Sequence, residues 1–500
     1  MKVWKLASAM LAGLSCGSSL QARNAAPPDA VVDLPVPSSE RLRRVFRIEI
    51  LASAALLILG LLFQVALRHQ AQAYLIDGQE REWMSSETLM QTVSIQDLRD
   101  APAESLTHIH IQPPGFDLAR AILVHLWPSL EIHAALKNVD HALYLLWSIL
   151  YSLCGLLMFW WLSGLVGKTI SFVASLLFLL HPAALVFATL LDTTLLSSVL
   201  VLWMYYSLWK LRRGRSSIFA VTTSSVLLFF FRSFFQLPFL LVMAVSLYLL
   251  KVPWRTVVLF LLIAGGICGS YVAKQYRQFG LLTTSSFTGL NLVRSAGIMT
   301  YTWPYEVDPD GALPNTLPNV LTRKSKMDGS LNYNNLAYVE FDRRLKNEYR
   351  NYLSSTPVAV LLRAYYNNLE IYWRPSSSYL PRSHIELLPW KSAYDWIFSG
   401  PVLIVLLSLA GVMWLAKGLG QRDYSCRVAI LLPGLYILAI SILFEQGENH
   451  RFKFFLEPVF CVFIVSQLHG AVVRGCRWIV QRRSGAPMAR PLGRTQLGSS

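Results

Sequence analysis

Ten apolar runs, each closed off by charge and most of them long enough to cross a bilayer, constrain this chain more than any other feature. They lie at about Ile48–Leu67, Ala142–Trp161, Ile170–Phe187, Leu190–Trp209, Ile218–Phe231, Phe234–Leu250, Val257–Val272, Val402–Leu415, Val428–Phe444 and Val459–Val473. A hydrocarbon core about 30 Å thick takes roughly 20 apolar residues as a helix. A helix also satisfies its own backbone polar groups, which lipid cannot do. Over 500 residues, 54% hydrophobic against 15% charged is too apolar for a soluble protein of this size, so lipid is the expected solvent. The expected fold is an all-α polytopic membrane protein with about ten transmembrane helices and two long extracytoplasmic segments carrying juxtamembrane helices.

A formal charge of +16 can signal a nucleic-acid partner, but its placement argues for none. Arg41, Arg43, Arg44 and Arg47 precede the first run, and Lys210, Arg212, Arg213 and Arg215 follow the fourth. Lys251 and Arg255 follow the sixth, Lys417, Arg422 and Arg427 the eighth, and Arg474, Arg477, Arg482 and Arg483 the last. Alternate connections carry the cations, so the positive-inside rule puts both termini in the cytoplasm of a multi-pass plasma (inner) membrane protein. It puts Arg68–Asp140 and Lys274–Pro401 outside. The organisation expected is a tail over 1–44, a core over 45–273 that includes the first external loop at 68–140, a second external segment at 274–401, a C-terminal membrane part at 402–483 and a disordered tail at 484–500. Met1–Ala22 resembles a secretory signal, yet cleavage there would leave Arg41–Arg47 outside; a mis-set start or a cytoplasmic tail stays open beside it. Neither external segment contains cysteine, so no disulfide and no thiolate metal cluster is available to them.

Polar groups beside the apolar runs mark candidate sites. Ser94–Trp127 contains the turn HIHIQPPG, where Pro113 and Pro114 block helix. Phe116, Ala119, Leu123, Leu126 and Trp127 then recur at helical spacing, as in a short interfacial helix. Its approach holds Asp97, Asp100, Glu104, His108 and His110. Asp77, Glu80 and Glu82 come soon after the first run. Asp192, the only ionised group in the short connection FATLLDTTLLSS, serves equally as a helix cap through Thr193 and Thr194 or as part of a site. His181 and Pro182 suggest a kink inside the third. Arg232 interrupts FFFRSFF, where a charge is expensive and points to function. In the second segment Thr283–Gly289 is a loop of small hydroxylated residues, Asn334–Tyr352 a charged surface helix, and Thr356 with Pro357 the start of a helix through Trp373. Tyr365, Tyr366, Tyr372, Trp373, Trp390 and Trp396 suit either an interfacial belt or sugar stacking. The last external connection, FEQGENHRFKFFLEP, holds Glu445, Glu448, His450, Arg451, Lys453 and Glu457. Arg451 and Lys453 stand on the side where cations are not expected, and an anion to bind would explain them.

In this order, HIQPPGFDLARAIL, KQYRQFGLLTTSSFTGLNL and ENHRFKFFLEP resemble motifs of the GT-C superfamily of polytopic glycosyltransferases, which includes protein O-mannosyltransferases, aminoarabinose transferases of lipid A and bacterial lipopolysaccharide enzymes. The likeness runs from Ile48 to Val473 through short, degenerate motifs. It implies an inverting transfer of sugar from a polyprenyl-phosphate donor to an envelope glycan, lipid or protein acceptor on the outer face. The family's catalytic carboxylate corresponds to Asp77, although Gly78 replaces the usual second acid. Asp97 and Asp100 therefore compete for the role, and Asp192 matches a second acidic position. His110, Gln112 and Asn291 fall in the matching turn and loop. Arg451 and Lys453, with Arg232 behind them, would stabilise the departing lipid phosphate, and Glu448 would orient Arg451. Members differ in metal dependence, so the cofactor is unknown, with a divalent ion possible near His110 or Glu80. A transporter or flippase of lipid-linked sugars or small anions is the alternative; it calls for related halves and interrupted helices, and no internal repeat is present.

Overall fold

A computed structural model describes residues 39–73, 75–76, 79–80, 85–214, 218–298, 317–379, 388–416 and 424–483. Met1–Ala22, Asp77 and the C-terminal tail from 484 lie outside the described residues. The described chain is helical apart from one short antiparallel pair, Leu75–Ile76 with Gln79–Glu80. Each of the ten apolar runs is helical, but not all are spans by length. Six helices are long and apolar enough to cross a membrane, or up to eight if each of two bent pairs is one span. Chains with this make-up are helical membrane proteins.

Ser39–Ala73 (α1) begins earlier than sequence suggests, so Arg41–Arg47 belong to its first turns and not to a tail. Ile132–Ser163 (α5) is the central helix, packed against α1 and its neighbours, with Trp147, Tyr151 and Phe159 fully buried. Lys168–Leu179 (α6) and Pro182–Thr189 (α7) form one bent pair, at 56°. Pro182 cannot donate an amide, and His181 Nδ1 instead accepts from Ala183 N at 3.0 Å, capping the new helix. Thr194–Arg212 (α8) follows. Ile218–Phe231 (α9) and Leu237–Leu249 (α10) are apolar but shorter. Trp254–Phe279 (α11) contains one π-helical turn at Leu261–Gly265. Lys391–Phe398 (α16) and Gly400–Ala416 (α17) make the second bent pair, also at 56°. Tyr424–Leu443 (α18) and Glu457–Arg483 (α20) complete the set.

Contacts sort the connections into two ends. At one, Lys168 pairs with Glu49 at 2.9 Å, Cys426 Sγ meets Leu249 O and Arg427 meets the Trp414 carbonyl. At the other gather the turn at His110, the Asp192 loop, Arg232, the loop after α11 and the hairpin before α20. The intervening helices are Ile95–Asp100 (α2), Pro102–Thr107 (α3), Gly115–Val124 (α4), Thr288–Ser295 (α12), Asn319–Thr322 (α13), Ala337–Ser355 (α14), Val358–Tyr372 (α15) and Asn449–Lys453 (α19).

Helix α4 forms where the two prolines predict, but its faces are not the expected ones. Leu118, Ile122 and Leu126 are 47%, 60% and 62% exposed, one stripe at helical spacing, while Asp117 and Arg120 point inward with no exposure. The reason is a buried network. Arg120 Nη1 donates to Asp117 at 2.7 Å and Nη2 to Glu87 at 2.6 Å, and Lys326 Nζ donates to the Glu87 and Leu89 carbonyls at 2.7 and 2.6 Å. Such an arrangement is tolerated only when every charge is paired. It locks the first long segment to the second.

Candidate functional site

The hairpin between α18 and α20 turns at Gly447, whose φ of +87° is left-handed and favours glycine. Asn449 Nδ2 ties it down by donating to the Ser441 and Glu445 carbonyls at 2.6 and 2.8 Å. Helix α19 then carries Arg451 into a largely closed polar cluster. Its Nη2 lies 3.0 Å from Glu448 and its Nη1 3.6 Å from Asp192, and Nη1 also donates to Tyr379 Oη. The guanidinium lies over the Tyr379 and Phe452 rings. Its Nε is buried without a partner.

Asp192 is held from three sides. Thr194 N and Oγ1 donate to its two oxygens at 2.9 and 2.8 Å, and Trp147 Nε1 donates to its carbonyl at 3.1 Å. The sequence left capping and a site as alternatives; Asp192 holds the first residue of α8, Thr194, and also lies 3.6 Å from Arg451. Arg232 is buried and donates to Thr193 Oγ1 at 3.0 Å. Arg294, from α12, lies 3.5 Å from Glu445 and donates to Gln446 O at 2.8 Å. Three carboxyls thus face three guanidiniums. Burial pushes the Asp192 carboxyl up against the opposing pull of Arg232, and burial with the neighbouring Glu448 raises Glu445.

The other sequence candidates lie elsewhere. Asp97 pairs with Arg323 at 3.3 Å and Asp100 with Arg99 at 3.3 Å, so the structure does not join them to Arg451. His110 is a joint: its amide donates to Asn334 Oδ1 at 2.8 Å, its Nδ1 meets Ser286 Oγ at 2.9 Å and its ring packs edge-on against Phe279. Burial drives the imidazole down to about 3, so it is neutral. Gln112 is buried beside it in the same turn. Asn291 sits half-buried on α12. Lys453 is corrected from phosphate ligand to internal strut: it donates to Arg374 O at 2.6 Å and Phe398 O at 2.8 Å, with Glu457 3.5 Å away and no exposure. Thr356 does not cap α15; Pro357 occupies that place, and Thr356 ends α14. Among the aromatics, Tyr372 is buried and Trp390 Nε1 donates to Leu180 O, while Tyr366 and Trp396 are exposed.

Sequence reasoning missed Tyr379 and Arg294, and neither SSSYLP nor NLVRSAG offers a signal that would have found them. Among the described residues no group of three or more His, Cys, Asp or Glu side chains is arranged to hold a metal ion. Comparisons with protein-family models, with curated proteins and with solved structures found no match to this chain.

Proposed function

We propose that this chain is a GT-C-like membrane glycosyltransferase that moves a sugar from a polyprenyl-phosphate donor to an envelope acceptor on the outer face of the cytoplasmic membrane, with inversion. The reading rests on Arg451, an arginine held in a buried cluster at one end of an apolar helical bundle, beside a fixed carboxylate, Asp192. A guanidinium fork suits phosphate oxygens, and a lipid-borne donor reaches such a site through the bilayer. In this scheme Arg451, backed by Arg232, stabilises the charge that the leaving phosphate gains. A carboxylate removes the acceptor hydroxyl proton as it attacks the anomeric carbon. Asp77 fills that role by resemblance, and Asp192, 3.6 Å from Arg451, is the described alternative. Both termini then face the cytoplasm.

Arg451→Ala removes charge-assisted hydrogen bonds of about 1.5–3 kcal/mol, so affinity for a short polyprenyl phosphate is expected to fall roughly ten- to hundredfold. Asp77→Asn and Asp192→Asn, assayed for sugar transfer in membranes, identify the base, whose loss costs about 10²–10⁴ in rate. Full activity in both variants, or unchanged phosphate binding by Arg451→Ala, discards the reading. A second reading, transport of a lipid-linked sugar or anion, is favoured by the two bent spans, since discontinuous helices frame transporter sites. Movement of the lipid-linked substrate across vesicles without glycosidic-bond cleavage would select it.

A further inference from the structure

The two bent spans meet each other. Trp390 Nε1 donates to Leu180 O at 2.9 Å, Tyr394 Oη to Leu177 O at 2.6 Å, and the His181 ring stands edge-on to Phe398 at 4.2 Å. Against this crossing lies Glu457, the first residue of α20, with no exposure. Its Oε1 is 2.6 Å from Ser376 Oγ, which is in turn 2.7 Å from the His450 carbonyl oxygen.

Hydrogen counting discriminates between the protonation states. A serine hydroxyl has one proton, and a carbonyl oxygen can only accept. If Ser376 donates to His450 O, the short contact to Glu457 is a hydrogen bond only when the carboxyl supplies the proton. Lys453 Nζ makes two short contacts, to the Arg374 and Phe398 carbonyls, which two N–H groups satisfy; its 3.5 Å approach to Glu457 is longer than a hydrogen bond. His181 Nδ1 accepts from Ala183 N, so Nε2 carries the ring proton and stands 3.7 Å from Glu457 Oε2, too far for a hydrogen bond and compatible with either form of the carboxyl. Charging both members of a pair sealed from water costs several kcal/mol per ion, whereas an acid beside an amine needs no such compensation.

We infer that Glu457 holds a proton and, as a neutral acid, is the positioning residue of the Arg451 hairpin, fixing the His450 carbonyl through Ser376. This rests on the reading of Arg451 as an anion ligand and adds what holds it in place. The groups facing Glu457 are Lys453 and His450 from the hairpin, Ser376 from the turn after α15, Tyr372 from α15, His181 from the first break and Asp395 from α16. Asp395 is already bound by Lys391 and Ser377. Burial draws the Lys453 ammonium down, against the opposing pull of Glu457.

Infrared difference spectra of the purified full chain in nanodiscs test this. One component of the protonated carboxylic acid C=O stretch in the wild type is expected to be lost in Glu457→Gln and to persist in Lys453→Met. An ionised pair gives the opposite: Glu457→Gln removes no such band and Lys453→Met creates one, and either result overturns the inference. Glutamine can donate to Ser376 as the acid does, so Glu457→Gln is expected to keep the short polyprenyl phosphate binding that Glu457→Ala weakens at least tenfold, about 1.4 kcal/mol. Equal weakening in both variants overturns the positioning role. Should the wild type bind no polyprenyl phosphate while the band behaves as stated, the ligand assignment fails alone; the same Gln-against-Ala contrast in thermal unfolding then decides the positioning role.

Discussion

Individual side chains divide into those that sequence explains and those that only partners explain. Asp97, a competitor for the base by resemblance, is buried at 5% exposure beside Arg323. Burial raises its carboxyl from the ordinary 3.8 to about 6, outweighing the arginine. The folded protein therefore holds a proton that the unfolded chain releases between those values. Stability is greatest below about 3.8 and falls as pH rises through about 6, by roughly 2–3 kcal/mol if the shift is fully expressed. Unfolding of the wild type across this window is expected to show that slope, and Asp97→Asn to flatten it; an identical slope in both would assign the proton elsewhere. Lys453 carries the same lesson with opposite chemistry: its sequence position suggested an open cation, and backbone carbonyls on two other elements take its protons.

At the level of helices, apolar periodicity announced all ten runs, because lipid demands continuous apolar surface and gives no other signal as strong. The 56° breaks were less legible. Pro182 hinted at the first, and Pro401, in the first turn of α17, marks the second, which also touches the first pair and Lys453. Close approaches at glycine were not visible either. A Cβ at Gly289 would lie 2.5 Å from the Asp342 carbonyl oxygen on α14, which is backbone and cannot swing aside. Gly289→Ala should separate α12 from α14 and cost about 1–3 kcal/mol. Thermal unfolding in detergent measures it, and a wild-type midpoint would mean that the helices part freely. Since α12 also carries Arg294, the same variant is expected to loosen the contact to Glu445.

For the whole molecule, the orientation proposed from the alternation of positive charge can be tested by labelling one position at each end. Ser330 lies beside Lys326, which binds the Glu87 loop, and Lys251 lies beside Leu249 at the end where Cys426 sits. In a cysteine-free background, Ser330→Cys should react with an impermeant maleimide on intact cells and Lys251→Cys only after permeabilisation. The reverse pattern inverts the orientation and with it the outer-face chemistry. The candidate site was legible in part: Asp192, Arg232, Glu448 and Arg451 were singled out from their cost in an apolar setting, and they do converge. What binds them together, Tyr379 and Arg294, comes from loops and helices whose sequence has no such cost to betray it.

The link between Glu87 and Lys326 also bears on how the protein is made. These residues are separated by 239 positions, and Asn334 reaches back 224 to His110. A chain emerging from the ribosome presents Arg120 and its acids long before the lysine that completes their enclosure exists. Contacts so remote in sequence form slowly. Until then the early loop is an unfinished joint, which makes synthesis arrested before residue 326 the stage at which proteases have the most to cut.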